Sequence, residues 1–122
     1  MISAPLAVLV VEDEPLIRLS LVADLEDAGF GVYEAAGADE ALRLLSAHPE
    51  IEALFTDIDM PGSIDGLKLA RLARLSHPKI SILITSGYLK IAKNELPPET
   101  VYFSKPYDVG HVVNHIREHV SV

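Results

Sequence analysis

Five side chains with reactive or charge-bearing groups stand just beyond apolar runs of this 122-residue chain. Glu12 and Asp13 follow Leu6–Val11, Asp57 follows Ala53–Thr56, Ser86 ends the run Ile80–Thr85, and Lys105 follows Val101–Ser104. If those runs are neighbouring strands, the groups share one edge of a sheet. Clustered carboxylates repel one another unless a cation sits among them. An oxygen donor set without histidine or cysteine favours Mg²⁺, which binds through one or two carboxylates and a phosphate. A carboxylate can also act as a nucleophile and form an aspartyl phosphate. Phosphoryl transfer then needs charge neutralised at the equatorial oxygens, which Lys105, the Ser86 hydroxyl, a backbone N–H and Mg²⁺ would supply.

The elements that must position these groups follow from the apolar pattern. Leu6–Val11 is an unbroken apolar run, as in a strand covered on both faces. Pro15 opens a helix whose apolar face is read as Leu16, Leu19, Val22 and Leu25, with Ile17 and Leu21, and Gly29 is its C-terminal stop. Val32–Ala36 is a second, weaker strand, and Ala41, Leu42 and Leu45 mark a short helix ended by His48-Pro49. Ala53–Thr56 is a third strand, and Leu67 to Leu75 carries helical apolar spacing that stops before Pro78. Ile80–Thr85 and Val101–Ser104 are further strands, and Val109, Val112, Val113 and Ile116 mark a last helix. Strands alternating with helices predict a five-stranded parallel sheet with helices on both faces, in one domain over residues 1–122. Ligands of such sheets bind beyond the carboxyl ends of the strands, where strand order reverses.

The runs Val10-Val11-Glu12-Asp13, Asp57-Ile58-Asp59-Met60-Pro61, Ser86-Gly87 and Lys105-Pro106 stand in order, each after its strand. Together they resemble the receiver domain of two-component response regulators, over nearly the whole chain. The resemblance implies a flavodoxin-like, doubly wound fold. It implies Asp57 as phospho-acceptor, Asp13 as direct Mg²⁺ ligand with Glu12 helping, and Asp59 completing the metal shell through its backbone carbonyl. Ser86 is then the switch hydroxyl, Lys105 the partner of the phosphate oxygens, and Pro106 a residue often joined by a cis peptide. Tyr102 takes the place of an aromatic that swings inward on activation. The implied partners are a histidine kinase or histidine phosphotransfer protein and a downstream protein target, with the chain a monomer or a phosphorylation-dependent dimer. It would catalyse only its own phosphorylation and dephosphorylation.

Two departures from that pattern stand out. The loop Met60–Gly66 is one residue longer than usual. The segment Tyr88–Thr100 is shorter and contains Pro97-Pro98, so the fourth helix expected there should be short or irregular. Asp59 and Tyr88 would border the phosphate and tune its lifetime. Two alternatives carry different functions. Asp57-Ile58-Asp59 also resembles the Asp-x-Asp pair of haloacid-dehalogenase-type phosphatases. That motif should lie on the first strand with the metal acids after it, and here Glu12 and Asp13 come first. The other alternative is a degenerate receiver acting only as a binding module. Taken singly, Asp57 could cap a turn, Glu12 and Asp13 could be a solvated loop at a helix start, and Lys105 could be a surface lysine.

The remaining features bound the function. His111, His115 and His119 recur every four residues, a spacing that can bind a transition metal, but a polar helix face is the favoured reading. The chain has no cysteine, so disulfides and thiolate sites are excluded, in keeping with a cytoplasmic location. No apolar run is long enough to cross a bilayer. A formal net charge of −8 makes direct nucleic-acid binding unfavourable. With no effector domain present, Met1 favours a free-standing protein over a fragment of a larger regulator or hybrid kinase.

Overall fold

The computed structural model describes residues 5–58, 66–86 and 98–120. Five strands and four helices follow one another among the described residues: β1 (Ala7–Val11), α1 (Pro15–Asp27), β2 (Gly31–Ala35), α2 (Ala38–Ala47), β3 (Ile51–Asp57), α3 (Gly66–Ser76), β4 (Ser81–Ser86), β5 (Thr100–Ser104) and α4 (Val109–Val120). All strands pair in parallel, in the order β2-β1-β3-β4-β5. The chain leaves β1 toward β2 and returns on the opposite side at β3, so strand order reverses between β1 and β3.

Alternation along each strand divides the core in two. Leu9, Val11, Leu54, Ile82 and Ile84 pack with Ala41 and Leu45 of α2 and Leu69 and Ala73 of α3. Val8, Val10, Phe55 and Leu83 pack with Leu21 and Leu25 of α1 and Val112 and Ile116 of α4. Among the described residues, two helices therefore cover each face, and the apolar runs of β1, β3 and β4 are continuous because neither of their faces meets water. β2 and β5 are edge strands and only partly buried, which is why their sequences are less uniformly apolar.

One predicted helix face is corrected. In α1 the buried residues are Leu21, Val22 and Leu25, whereas Leu16 and Leu19 are 82% and 63% exposed. Leucines lie all round the N-terminal half of α1, so periodicity alone could not pick the face that meets the sheet. Gly29 ends α1 as expected, with φ of 99°, in the left-handed region that glycine adopts without strain. The short or irregular fourth helix expected within Tyr88–Thr100, and the longer loop after Asp57, fall mostly on positions 59–65 and 87–97, outside the described residues.

Candidate functional site

The site lies at the carboxyl ends of β1, β3, β4 and β5, beside the strand-order reversal. Asp57 is the last residue of β3 and is 4% exposed. Its row on the sheet, continuing Ala53 and Phe55, faces α1 and α4. The ladder runs on past the strand ends: Glu12 N–H donates to the Ala35 carbonyl at 3.1 Å, Ile58 N–H to Thr85 at 2.9 Å, and Lys105 N–H to Ser86 at 3.1 Å. These bonds hold the site residues in register with the sheet.

Glu12, Asp13 and Asp57 each offer a carboxylate oxygen within 4.8 Å of the others, the single group of three or more such ligands among the described residues. Lys105 Nζ donates to Asp57 Oδ2 at 2.7 Å, a charge-assisted bond to a buried acceptor. Burial alone would pull the Lys105 ammonium below its usual value. The bond and charge of Asp57, with Glu12 adding, raise it above that value instead. Glu12 is pushed up to about 7, first by burial and then by its Asp13 and Asp57 neighbours, against the Glu14 N–H that donates to its Oε2 at 3.2 Å. Lys105 thus answers part of the negative charge gathered here, and Glu12 exchanges its proton near neutrality.

A divalent cation fits this donor set. All three ligands are hard oxygens, and Mg²⁺ takes oxygens at about 2.0–2.1 Å while keeping several waters. Carboxylate oxygens within 4.8 Å of one another suit one direct and further water-mediated contacts. Glu12, Asp13 and Asp57 would hold it. The Asp59 carbonyl, also expected in that shell, lies outside the described residues.

Ser86 is 1% exposed at the end of β4. Its carbonyl accepts two bonds, from Tyr102 Oη at 3.2 Å and from Lys105 N–H. The structure thus joins the expected switch aromatic, the hydroxyl residue and the lysine through a single backbone oxygen. Thr85 stands in register with Asp57, and its buried Oγ1 has no hydrogen-bond partner among the described residues. The Lys105–Pro106 peptide is cis, as the family resemblance suggested.

Three supporting residues were missed in the sequence. Gly66 opens α3 directly against the Asp57–Ile58 backbone, and a Cβ there would stand 2.8 Å from Ile58 Cα. The sequence places this glycine at the end of the loop Met60–Gly66, but nothing in it showed that the glycine meets Asp57. Arg18 donates from Nη1 to the Glu12 carbonyl at 2.7 Å and from Nε to Glu34 Oε1 at 3.1 Å. Arg74 donates to the carbonyls of Pro78, Ile80, Pro98 and Glu99. Helical arginines read as surface residues in a sequence, so neither role had a local signal. The histidines of α4 do not gather a three-ligand group among the described residues. The rings of His115 and His119 stack at 4.0 Å, and His119 Nδ1 bonds the His115 carbonyl.

This sheet order belongs to a known class of fold. The response regulator receiver domain family model matches residues 8–117, and the chain is a member of that family. It is 33% identical to the response regulator receiver protein CpdR of Brucella abortus, over 91% of this chain and 93% of that protein. It is 32% identical to the sensor kinase CckA of the same organism, over 96% of this chain but 13% of the kinase. The chain spans 22% of the NtrX-like response regulators of Rickettsia felis and Rickettsia conorii. A receiver protein from Pseudomonas putida superposes with a TM-score of 0.83 at 28% identity, covering 96% of this chain and 99% of that one. The receiver domain of the hybrid histidine kinase CckA superposes with a TM-score of 0.80 at 28% identity, covering 94% and 99%. Among the described residues, no helix is long and apolar enough to cross a membrane.

Proposed function

We propose that this chain is a phospho-acceptor that takes a phosphoryl group onto Asp57 from a histidine kinase or a histidine phosphotransfer protein, in the presence of Mg²⁺. The observation that carries the reading is the buried Asp57 carboxylate, bonded to Lys105 at 2.7 Å and grouped with Glu12 and Asp13. An Asp57 oxygen attacks the phosphorus of a phosphohistidine. An O–P bond forms, the N–P bond breaks, and the imidazole, already protonated on its other ring nitrogen by solvent, leaves as the neutral ring. Lys105 follows the charge onto the phosphoryl oxygens, and Ser86 supplies a hydroxyl donor. The bound cation would neutralise the charge shared by the carboxylates and the phosphoryl oxygens.

The new dianion changes what the Ser86–Tyr102–Lys105 cluster must satisfy. A two-state surface on the β4–β5 side then shifts its population and with it the binding of a protein target. In this reading the chain acts in the cytoplasm as a single receiver unit and turns over no separate substrate. Family membership weighs against the phosphatase alternative, and the grouped acids and lysine weigh against a purely binding role.

Acetyl phosphate with Mg²⁺ should add one phosphoryl mass to the intact chain, and neither Asp57→Asn nor the Mg²⁺-free protein should gain it. Acetyl phosphate consumption is followed in the same samples to detect an adduct that hydrolyses quickly. The absence of both added mass and consumption would sink the phospho-acceptor reading. Rapid turnover of unrelated phosphate esters would return the phosphatase reading.

A further inference from the structure

Glu12 is held at three points, and one of them lies outside the sheet and the helix start. Its N–H donates to Ala35, and its carboxylate Oε2 accepts from the Glu14 N–H. Its carbonyl accepts from Arg18 Nη1 at 2.7 Å. The β1 ladder ends at Glu12, so among the described residues no sheet bond orients the peptide that joins Glu12 to Asp13. Arg18 grips the oxygen of that peptide. Its side chain is 19% exposed, and its Nε is fixed by Glu34 on β2 at 3.1 Å. A guanidinium presents its donors in a rigid plane, so anchoring one edge on Glu34 fixes the direction of the donor that reaches Glu12.

We propose that Arg18 is a positioning residue: it sets the orientation of the Glu12–Asp13 peptide and thereby the mutual placement of the carboxylates that would hold the cation, with Glu34 as its brace. The inference rests on the cation-dependent reading given above. With its oxygen occupied by Arg18, the Glu12 carbonyl is kept out of the cation shell, and only the side chains of Glu12 and Asp13 face it. Groups that orient metal ligands without touching the metal typically change affinity by about 10–100-fold when removed.

The test compares Arg18→Ala, Arg18→Lys and Glu34→Gln with the parent. Mg²⁺ affinity is measured by calorimetry, and amide hydrogen exchange by NMR in metal-free protein. Arg18→Ala should weaken Mg²⁺ binding by about 10–100-fold. It should also speed exchange at the Glu14 amide, which donates to the Glu12 carboxylate, by an order of magnitude or more, with β4 amides unchanged. Arg18→Lys should recover part of both effects, because one ammonium can hold either acceptor but not fix its own direction. Glu34→Gln should shift both readouts the same way by less. An Arg18→Ala affinity within twofold of the parent overturns the proposal, whatever the exchange shows. If the parent itself takes up no Mg²⁺, the cation reading fails, and Glu14 exchange alone decides the role of Arg18: an unchanged rate overturns it. Should Arg18→Ala lose its far-ultraviolet circular dichroism, the same limits apply to Arg18→Lys.

Discussion

Removing the Arg74 guanidinium should loosen β5 before any other strand. Arg74 is half-buried on α3, and its donors reach two separate segments: Pro78 at 3.0 Å and Ile80, which lead into β4, and Pro98 at 3.1 Å and Glu99 at 3.4 Å, which lead into β5. Glu99 has φ of 59°, so the backbone there is held in a conformation a glutamate seldom adopts. Hydrogen bonds from a charged donor are worth about 1.5–3 kcal/mol when buried. Here the carbonyls regain water once the side chain is gone, so a net loss of roughly 0.5–1 kcal/mol per bond is the better figure. Four such bonds give roughly 2–4 kcal/mol for Arg74→Ala, and a Tm about 10 °C below the parent. Arg74→Lys should recover only a fraction, because one ammonium cannot span both segments. The decisive assay is amide hydrogen exchange: Thr100–Ser104 should lose protection more than the other edge strand, Gly31–Ala35. Equal loss at both edges, or a Tm within about 1 °C of the parent, would refute the clamp.

Other expectations follow from the site. Gly66→Ala should lower stability by about 1–3 kcal/mol or more by denaturant titration, because the added methyl meets the Asp57–Ile58 backbone and no flexible side chain; phosphoryl uptake should fall with it. Thr85→Val should raise stability by about 1 kcal/mol, since the buried hydroxyl it removes has no partner among the described residues, and should leave phosphoryl uptake intact. For pH, Glu12 is raised from 4.5 to about 7 in the native protein, so between those values the folded state holds a proton that the unfolded chain has lost. That contribution is full below pH 4.5, declines as pH rises through 7, and amounts to at most about 3 kcal/mol in metal-free protein. Added Mg²⁺ should oppose the decline, and its stabilising effect should grow with pH over the same window. Chemical denaturation at pH 5, 6, 7 and 8 with and without Mg²⁺ checks both trends.

The sheet and the gathering of Glu12, Asp13, Asp57 and Lys105 at its strand ends were readable because they rest on strong, repeated signals. Val8, Leu9 and Val10 are fully buried, and a run buried on both faces leaves no polar position to confuse it with an amphipathic helix. Asp57 stood out because it ends such a run, and Lys105 because it follows the shorter apolar run of the edge strand β5. Less was legible where the physics is tertiary. Leu16 and Leu19 carry the right spacing for a buried face, yet the sheet meets α1 on Leu21, Val22 and Leu25. Gly66, Arg18 and Arg74 act on backbone atoms of distant segments, and a carbonyl 24 residues away leaves no mark beside an arginine. The expectations for Asp59 and Tyr88 fall outside the described residues.

The distance along the chain between the two charged partners has a consequence for synthesis. Asp57 and Lys105 are separated by 48 residues, and every ladder of the sheet joins segments far apart in sequence. At roughly 5–20 residues per second, a ribosome that has finished Asp57 needs about 2–10 s more to make Lys105. During that interval the carboxylates exist without their ammonium, on a sheet that still lacks an edge. On the proposed reading, a nascent chain would lack the Lys105 contact to Asp57 until its final strand docks, and uptake of a phosphoryl group would then report completed folding.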